Sequence, residues 1–349
     1  MMSLPENIYD FLLNELPKIA SQIDRDNEVP KSFLEKMKEL KLFGLNKYGI
    51  EAVYQAIRLS SRSSPAVGHI ISIGNIVSIG RKELYGEGNF LFSLNVTEPG
   101  GGTDIKSNLK TEADEREDGS AIINGEKVFG SNAQYGDKFI ILAKGPKGPT
   151  LYVADRQPGI KVEPMDLISF RGSGISHVYL KDVRAMRIGT PGKGIREALE
   201  LINYERFGYG LIALGISEGV LMELESHAFN KKIFGKELGE FQSVKWMIAE
   251  IEAKMELLNS FVNTTIEKIR ENGHIDPIDA AISKIVAGEL AQRATWVGVQ
   301  LLGGKGLTYG TTIERLTRDA RSLDIAGGAR EVILDFIGDY AIKKYKQFF

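Results

Sequence analysis

The chain has 349 residues, enough for two or three modest domains that each bury a core. Its 44 basic and 46 acidic residues leave a formal charge of -2, which provides no field to gather nucleic acid or an anionic membrane surface. With no cysteine, disulfides, thiolate metal sites and a cysteine nucleophile are excluded, and His69, His177, His227 and His274 are too scattered to show metal-ligand spacing.

The first eighteen residues, MMSLPENIYDFLLNELPK, have no basic region followed by an apolar core, and no later segment approaches the ~20 apolar residues of a membrane span. A soluble, cytoplasmic protein is expected. Ile8, Leu12, Leu16, Ile19 and Ile23 recur at helical steps, and Pro30 opens a second helix carrying Phe33, Met37 and Leu40, which Gly44 is expected to close. Near Gly86 the pattern changes from period 3.6 to period 2.

Phe90, Phe92, Leu94 and Val96 then alternate as one face of a strand, and Ala121 to Val128 reads as a hairpin turning at Asn124-Gly125. Strands are expected at 138–143, 150–155 and 176–183, and their succession without intervening helices argues for an antiparallel sheet or barrel, not a parallel nucleotide-binding sheet. After the glycine-rich link 189–194 the helical period returns: Val244, Met247, Ile251, Met255, Leu258 and Val262 mark one long helix. Asp276-Pro277 caps and starts another, in which Ala280, Ala281, Ala287, Gly288, Ala291, Ala294 and Gly298 allow close helix approach. The expected division is a helical domain over 1–88, a β-domain over 89–187 and a helical bundle over 188–349.

Gly100-Gly101-Gly102 lacks the spacing of a dinucleotide fingerprint, and neither Gly192-Lys193-Gly194 nor Gly303-Gly304-Lys305-Gly306 completes a phosphate loop. A strand ending in a glycine turn flanked by Thr97 and Thr103 is either a plain loop or a cradle that offers backbone N–H groups and hydroxyls to a polar ligand.

Thr97-Glu98-Pro99-Gly100-Gly101-Gly102-Thr103-Asp104 resembles the Thr-Glu-Pro-Gly-Ala-Gly-Ser-Asp signature of the acyl-CoA dehydrogenase family. Asn124-Gly125-Glu126-Lys127-Val128-Phe129-Gly130-Ser131-Asn132 is similar to the family's Asn-Gly-x-Lys-x-Trp-Ile-Thr-Asn, and Phe170-Arg171-Gly172-Ser173 to its Arg-Gly-Ser segment. Lys232 to Lys236, Phe241-Gln242 and Val299 to Gly304 follow in the family's order, so the resemblance spans nearly the whole chain.

That resemblance implies an α+β multidomain fold, with an amino-terminal helical domain, a central antiparallel β-barrel and a carboxyl-terminal four-helix bundle, and it implies FAD. By position, Leu94, Val96, Thr97, Gly102 and Thr103 would line the flavin, with Phe129 covering the ring and the Ser131 hydroxyl near N5. Phe234, Gln242, Gln300, Gly303 and Gly304 match contacts to the adenosine diphosphate part, commonly made across a subunit interface, which implies a homodimer or homotetramer. Lys231 stands where the family usually has arginine, and a point-charge donor cannot reproduce a bidentate fork on pyrophosphate.

Dehydrogenation of an acyl-CoA needs a base for the α-proton. Most of the family carries it in a Glu-Gly-Thr segment, but the matching stretch, Asp324 to Glu331, has Gly327 there. A minority branch, which includes isovaleryl-CoA and long-chain acyl-CoA dehydrogenases, places its glutamate on a bundle helix before an arginine, and Asn203-Tyr204-Glu205-Arg206-Phe207 fits that pattern. Glu205 is therefore the expected base, Gly327 a backbone donor to the thioester oxygen, and Thr103, Asn203 and Arg206 substrate-side residues.

The implied activity passes electrons from an acyl-CoA substrate to an electron-transfer flavoprotein or similar acceptor, in fatty acid metabolism. The amino-terminal region lacks the Gly-Gly-Ala-Gly loop that usually follows the second helix, and a second trim precedes Phe90. A flavin-binding, catalytically weak subunit that pairs with another family member is the alternative, and an oxidase or DNA-associated relative a third reading.

Overall fold

The computed structural model describes residues 4–80 and 89–346. The shift near Gly86 and the boundary after residue 88 lie outside the described residues or at their edge. The first helix runs through Glu6–Asp10, a π-turn at Phe11–Glu15, and Leu16–Asp26. Ile8, Leu12, Leu16 and Ile23 are buried as their spacing requires, with Ile19 half-buried. Pro17 near the start of the last segment supplies no amide, and the widened π-turn precedes it.

The second helix, Lys31–Glu39, follows Pro30 as expected, but it does not close at Gly44. Lys41 takes the left-handed conformation (φ 58°) and the Leu42 amide donates to Met37 O at 3.0 Å, so a C-terminal cap forms earlier, on a lysine. Two further helices, Ile50–Ser61 and Pro65–Gly80, complete this region.

The strands are β1 (Phe92–Asn95), β2 (Glu112–Glu115), β3 (Ser120–Gly130), β4 (Lys138–Gly145), β5 (Gly148–Asp155), β6 (Ile160–Pro164) and β7 (Ser176–Arg187). The sheet runs β1-β4-β2-β3-β7-β5, and β4 also pairs with β5, which closes the barrel. Two expectations are corrected. The sheet is mixed, because β1 lies parallel to β4 and β2 meets β4 in parallel at Glu112 and Lys144. All four residues of β1 are buried, since helices and barrel cover both of its faces, so alternation does not separate an inner from an outer side.

The second correction concerns Asn124-Gly125, which is no hairpin turn. It lies inside β3, where the register to β7 shifts between Ile123 and Gly125, and the Asn124 side-chain Oδ1 accepts the Asp182 amide at 2.8 Å. A Cβ on Gly125 would lie 2.7 Å from Thr111 Cα, so glycine marks a close backbone approach at a bulge. β2 and β6 add strands that the sequence pattern did not announce, and Glu-Ala-Asp-Glu carries little strand propensity.

The carboxyl-terminal region packs Gly194–Leu224, Gln242–Asn272, Pro277–Leu302 and Arg330–Tyr345, with the shorter Thr312–Ser322 between the last two. Asp276 caps its helix by accepting the Ile278 amide at 2.9 Å, and all seven small residues singled out on that helix are buried. The expectation that no segment is long and apolar enough to span a membrane is corrected by Gly194–Phe229, whose best window has a mean hydropathy of 1.3. That window is 78% buried within the protein, as befits the central helix of the core. One continuous core joins the amino-terminal helices to the bundle, and the barrel encloses a second.

Candidate active site

Where β1 leaves the sheet, the chain is tied to β3 on both sides of a register break. Leu94 and Ser131 exchange backbone hydrogen bonds at 3.2 and 3.1 Å, and the Val128 amide donates to Thr97 O at 2.9 Å. Between these ties Phe129 adopts φ 54° and leaves its ring 53% exposed. A bulky aromatic residue in the left-handed region and half in solvent is a strained placement. Leu94, Val96, Thr97, Phe129 and Ser131 are thus brought together as expected.

Glu98 and Lys127, which the sequence reading passed over, hold this turn. Lys127 is fully buried and donates to Glu98 Oε1 at 2.7 Å and to Val96 O at 3.3 Å. Glu98 also accepts the Lys110 and Thr111 amides at 2.6 and 3.0 Å. Burial draws the Lys127 ammonium down to about 8 against the attraction of Glu98. Burial also opposes the charge on Glu98, but its hydrogen bonds from Lys127 and Thr111 prevail and keep it below the usual carboxylate range. The signal was present, since the two residues sit inside the two quoted motifs.

The glycine turn itself is exposed from Pro99 to Asp104. Gly100 (φ 113°) and Gly101 (φ 128°) take conformations that side chains disfavour, and the Gly101 amide donates to Glu98 O at 3.2 Å. Among the described residues the amides of Gly100, Gly102 and Thr103 have no partner. Outward N–H groups beside an exposed aromatic and two hydroxyls fit a flavin ring with its polar edge, so these residues suit FAD. A neighbouring cavity of about 330 Å³, lined by Glu98, Pro99, Lys110, Thr111, Gly125, Glu126 and Tyr179, includes neither Phe129 nor Glu205.

Lys231, Phe234, Gln242, Gln300, Gly303 and Gly304 are exposed and share no hydrogen bond, ion pair or ring contact with the turn. Phe234 tips a two-stranded hairpin (Lys232–Ile233, Lys236–Glu237) at φ 51° and is 95% exposed. Within one chain, the structure keeps this set apart from the first.

Glu205 is buried midway along the Gly194–Leu224 helix. The Tyr209 hydroxyl, one turn on, donates to its Oε1 at 2.6 Å, and His69 Nε2 lies 3.5 Å from the same oxygen. Burial acts to raise the Glu205 carboxyl, but His69 and Tyr209 outweigh it and hold the group below the usual carboxylate range. Burial and the adjacent carboxylate push the Tyr209 phenol well above its ordinary value, so it remains a donor. Tyr209 was legible as the i+4 neighbour of Glu205; His69, a lone histidine in an apolar stretch, carried no such signal.

The loop after Thr312–Ser322 closes over this pair. Arg206 Nε donates to Gly327 O at 2.7 Å and its Nη1 to Asn203 Oδ1 at 2.9 Å, so Arg206 and Asn203 fasten the loop to the helix. Buried Lys284 donates to Leu323 O at 2.7 Å. Gly327 has φ 68°, and a Cβ there would sit 3.0 Å from Tyr209 Cε2. Its amide has no partner among the described residues. Glu205, Asn203, Arg206 and Gly327 are therefore one constellation, while Thr103 remains on the exposed glycine turn.

Comparison with known proteins gives two matches to family models, "Acyl-CoA dehydrogenase, middle domain" over residues 93–183 and "Acyl-CoA dehydrogenase, C-terminal domain" over residues 192–342. The short-chain specific acyl-CoA dehydrogenase of Megasphaera elsdenii is 32% identical over 72% of this chain and 68% of its own length. A short-chain specific acyl-CoA dehydrogenase of Clostridium acetobutylicum is 27% identical over 93% of each chain. Among solved structures, butyryl-CoA dehydrogenase from Megasphaera elsdenii superposes with a TM-score of 0.86 at 26% identity, covering 96% of both chains.

Proposed function

The chain belongs to the acyl-CoA dehydrogenase family, FAD-dependent oxidoreductases acting on CH–CH donors, and from that premise we propose that it converts an acyl-CoA thioester to the trans-2-enoyl-CoA with Glu205 as base. The observation that carries this reading is the convergence of a buried, ionised carboxylate with a free backbone donor, Gly327 N–H, under one loop. FAD, when bound, supplies the hydride acceptor at N5. Glu205 takes the α-proton. The Gly327 amide hydrogen-bonds the thioester oxygen and makes the α-proton easier to remove, while Arg206 and Asn203 fix the loop that carries it.

Leu94, Val96, Thr97, Gly102, Thr103, Phe129 and Ser131 hold the flavin in this reading, and Lys231, Phe234, Gln242, Gln300, Gly303 and Gly304 meet the adenosine diphosphate end in a homo-oligomer. The nearly free Phe234 side chain supports the assembly, as do the apolar residues exposed along Arg330–Tyr345. The electron acceptor is a separate flavoprotein.

The test is anaerobic mixing of the FAD-loaded protein with a panel of acyl-CoA esters. Wild type bleaches its flavin absorbance, and Glu205→Gln keeps FAD but loses bleaching rate by about 100- to 10,000-fold, the worth of a general base. Near-normal turnover in Glu205→Gln would sink the assignment.

A further inference from the structure

His69 lies on Pro65–Gly80, a helix that supplies no other ionisable side chain to the site. Its ring is 1% exposed and stacks on Phe170, with centroids 5.1 Å apart and planes at 28°. Phe170 is itself fixed, because its amide donates to buried Asp319 at 2.6 Å. One ring nitrogen, Nδ1, is buried without a partner, while the other, Nε2, faces Glu205 Oε1 at 3.5 Å.

This asymmetry selects a tautomer. A proton on Nδ1 would bury an orphaned N–H and aim the Nε2 lone pair at a carboxylate; a proton on Nε2 turns a donor to the carboxylate and leaves only an unpaired acceptor at Nδ1. Tyr209 already donates to the same Oε1 at 2.6 Å, so a hydrogen-bonded phenol and an imidazole nitrogen 3.5 Å away approach one carboxylate oxygen from two helices. Among the described residues Oε2 receives none.

We propose, on the reading of Glu205 as the base, that His69 is a positioning residue: with Tyr209 it pins Oε1 and leaves Oε2 turned to the substrate's α-carbon. The α-proton ends on Oε2, and the protons on His69 Nε2 and the Tyr209 hydroxyl stay where they are. The ionisable group facing the imidazole is Glu205; around that carboxylate stand Arg206 and Tyr209 on Gly194–Leu224 and Lys284 on Pro277–Leu302, with Asp324 and Arg330 beyond Lys284. Phe170 covers one face of the ring.

The test uses the FAD-loaded protein and whichever of butyryl-, isovaleryl- or octanoyl-CoA bleaches wild type fastest. His69→Leu removes the donor and His69→Gln keeps one. His69→Leu is expected to lower kcat about 10- to 100-fold, the worth of a hydrogen bond to a charge, with KM changed less than about threefold. The acid limb of its kcat/KM profile moves to higher pH, because a carboxylate that loses a donor holds its proton more tightly; His69→Gln restores both kcat and the limb.

An infrared titration, subtracting Glu205→Gln from its parent, reads the same carboxyl without turnover, and its protonated band persists to higher pH in His69→Leu. If His69→Leu does not retain FAD, His69→Asn, whose amide is too short to reach, takes its place. Wild-type kcat, acid limb and infrared titration in a donor-free variant, alongside an inactive Glu205→Gln, overturn the role of His69 and leave the base standing. Normal turnover in Glu205→Gln removes the base and this proposal together.

Discussion

Lys127 of β3 donates to Glu98 Oε1 at 2.7 Å, with both side chains almost wholly inside the protein. That one ion pair couples the strand carrying Phe129 and Ser131 to the turn carrying the three glycines. Two stretches separated in sequence by nearly thirty residues, 98 and 127, are thereby held as one surface.

Lys127→Met leaves the Glu98 carboxylate buried without its cation, which costs about 3–5 kcal/mol of stability. The loss appears as a lowered Tm and weaker FAD retention. Replacing both partners, Lys127→Met with Glu98→Gln, recovers most of the stability, because the uncompensated charge is gone. Denaturant titration of the two variants checks the order, and equal loss in both would refute it.

Phe129→Gly removes an exposed aromatic from a left-handed position that glycine occupies freely. FAD affinity is expected to fall at least about tenfold, the loss of one stacked ring, while the flavin-free protein unfolds within ~1 kcal/mol of wild type. Fluorescence titration with FAD and thermal unfolding of the apoprotein read the two effects separately.

Gly327→Glu places a carboxylate where the resemblance to the family implies the more usual base, yet it is expected to fail as a base. The backbone there is left-handed, a cost of about 1–2 kcal/mol for a side chain, and the new Cβ would press on Tyr209 Cε2 at 3.0 Å. Gly327→Glu combined with Glu205→Gln should therefore remain inactive. Restored flavin bleaching in the double variant would show that the loop can relocate the base.

Asp319 is raised to about 7 by burial, against the hydrogen bond from the Phe170 amide. A carboxyl whose folded value exceeds its unfolded one binds its proton more tightly in the native state. Its stabilising contribution is complete below about pH 4 and is lost as pH rises through about 7, a change on the order of 4 kcal/mol. Asp319→Asn keeps an acceptor for Phe170 but cannot titrate. The stability of wild type relative to Asp319→Asn should decline between pH 4 and pH 8, and parallel curves would exclude the effect.

The return of the helical period after residues 189–194, the Asp276-Pro277 cap and the run of small residues on Pro277–Leu302 were legible because each is written in residues a few positions apart. Asn124-Gly125 misled for the same reason: its local preference is a hairpin, but pairing with β7 and the approach of Thr111 made it a bulge. The parallel setting of β1 beside β4 was equally invisible, since register and direction between strands are decided by long-range packing.

The sequence by itself determined the family, through motifs in order along the chain, and it singled out Glu205 once position 327 lacked a side chain. Only the tertiary structure decided what surrounds that carboxylate. His69 comes from a helix 136 residues earlier, Gly327 from a loop 122 residues later, and the charge on Glu205 depends on donors that no local pattern links to it. Burial and hydrogen bonding set a carboxyl's proton affinity, and both exist only when distant segments share one interior.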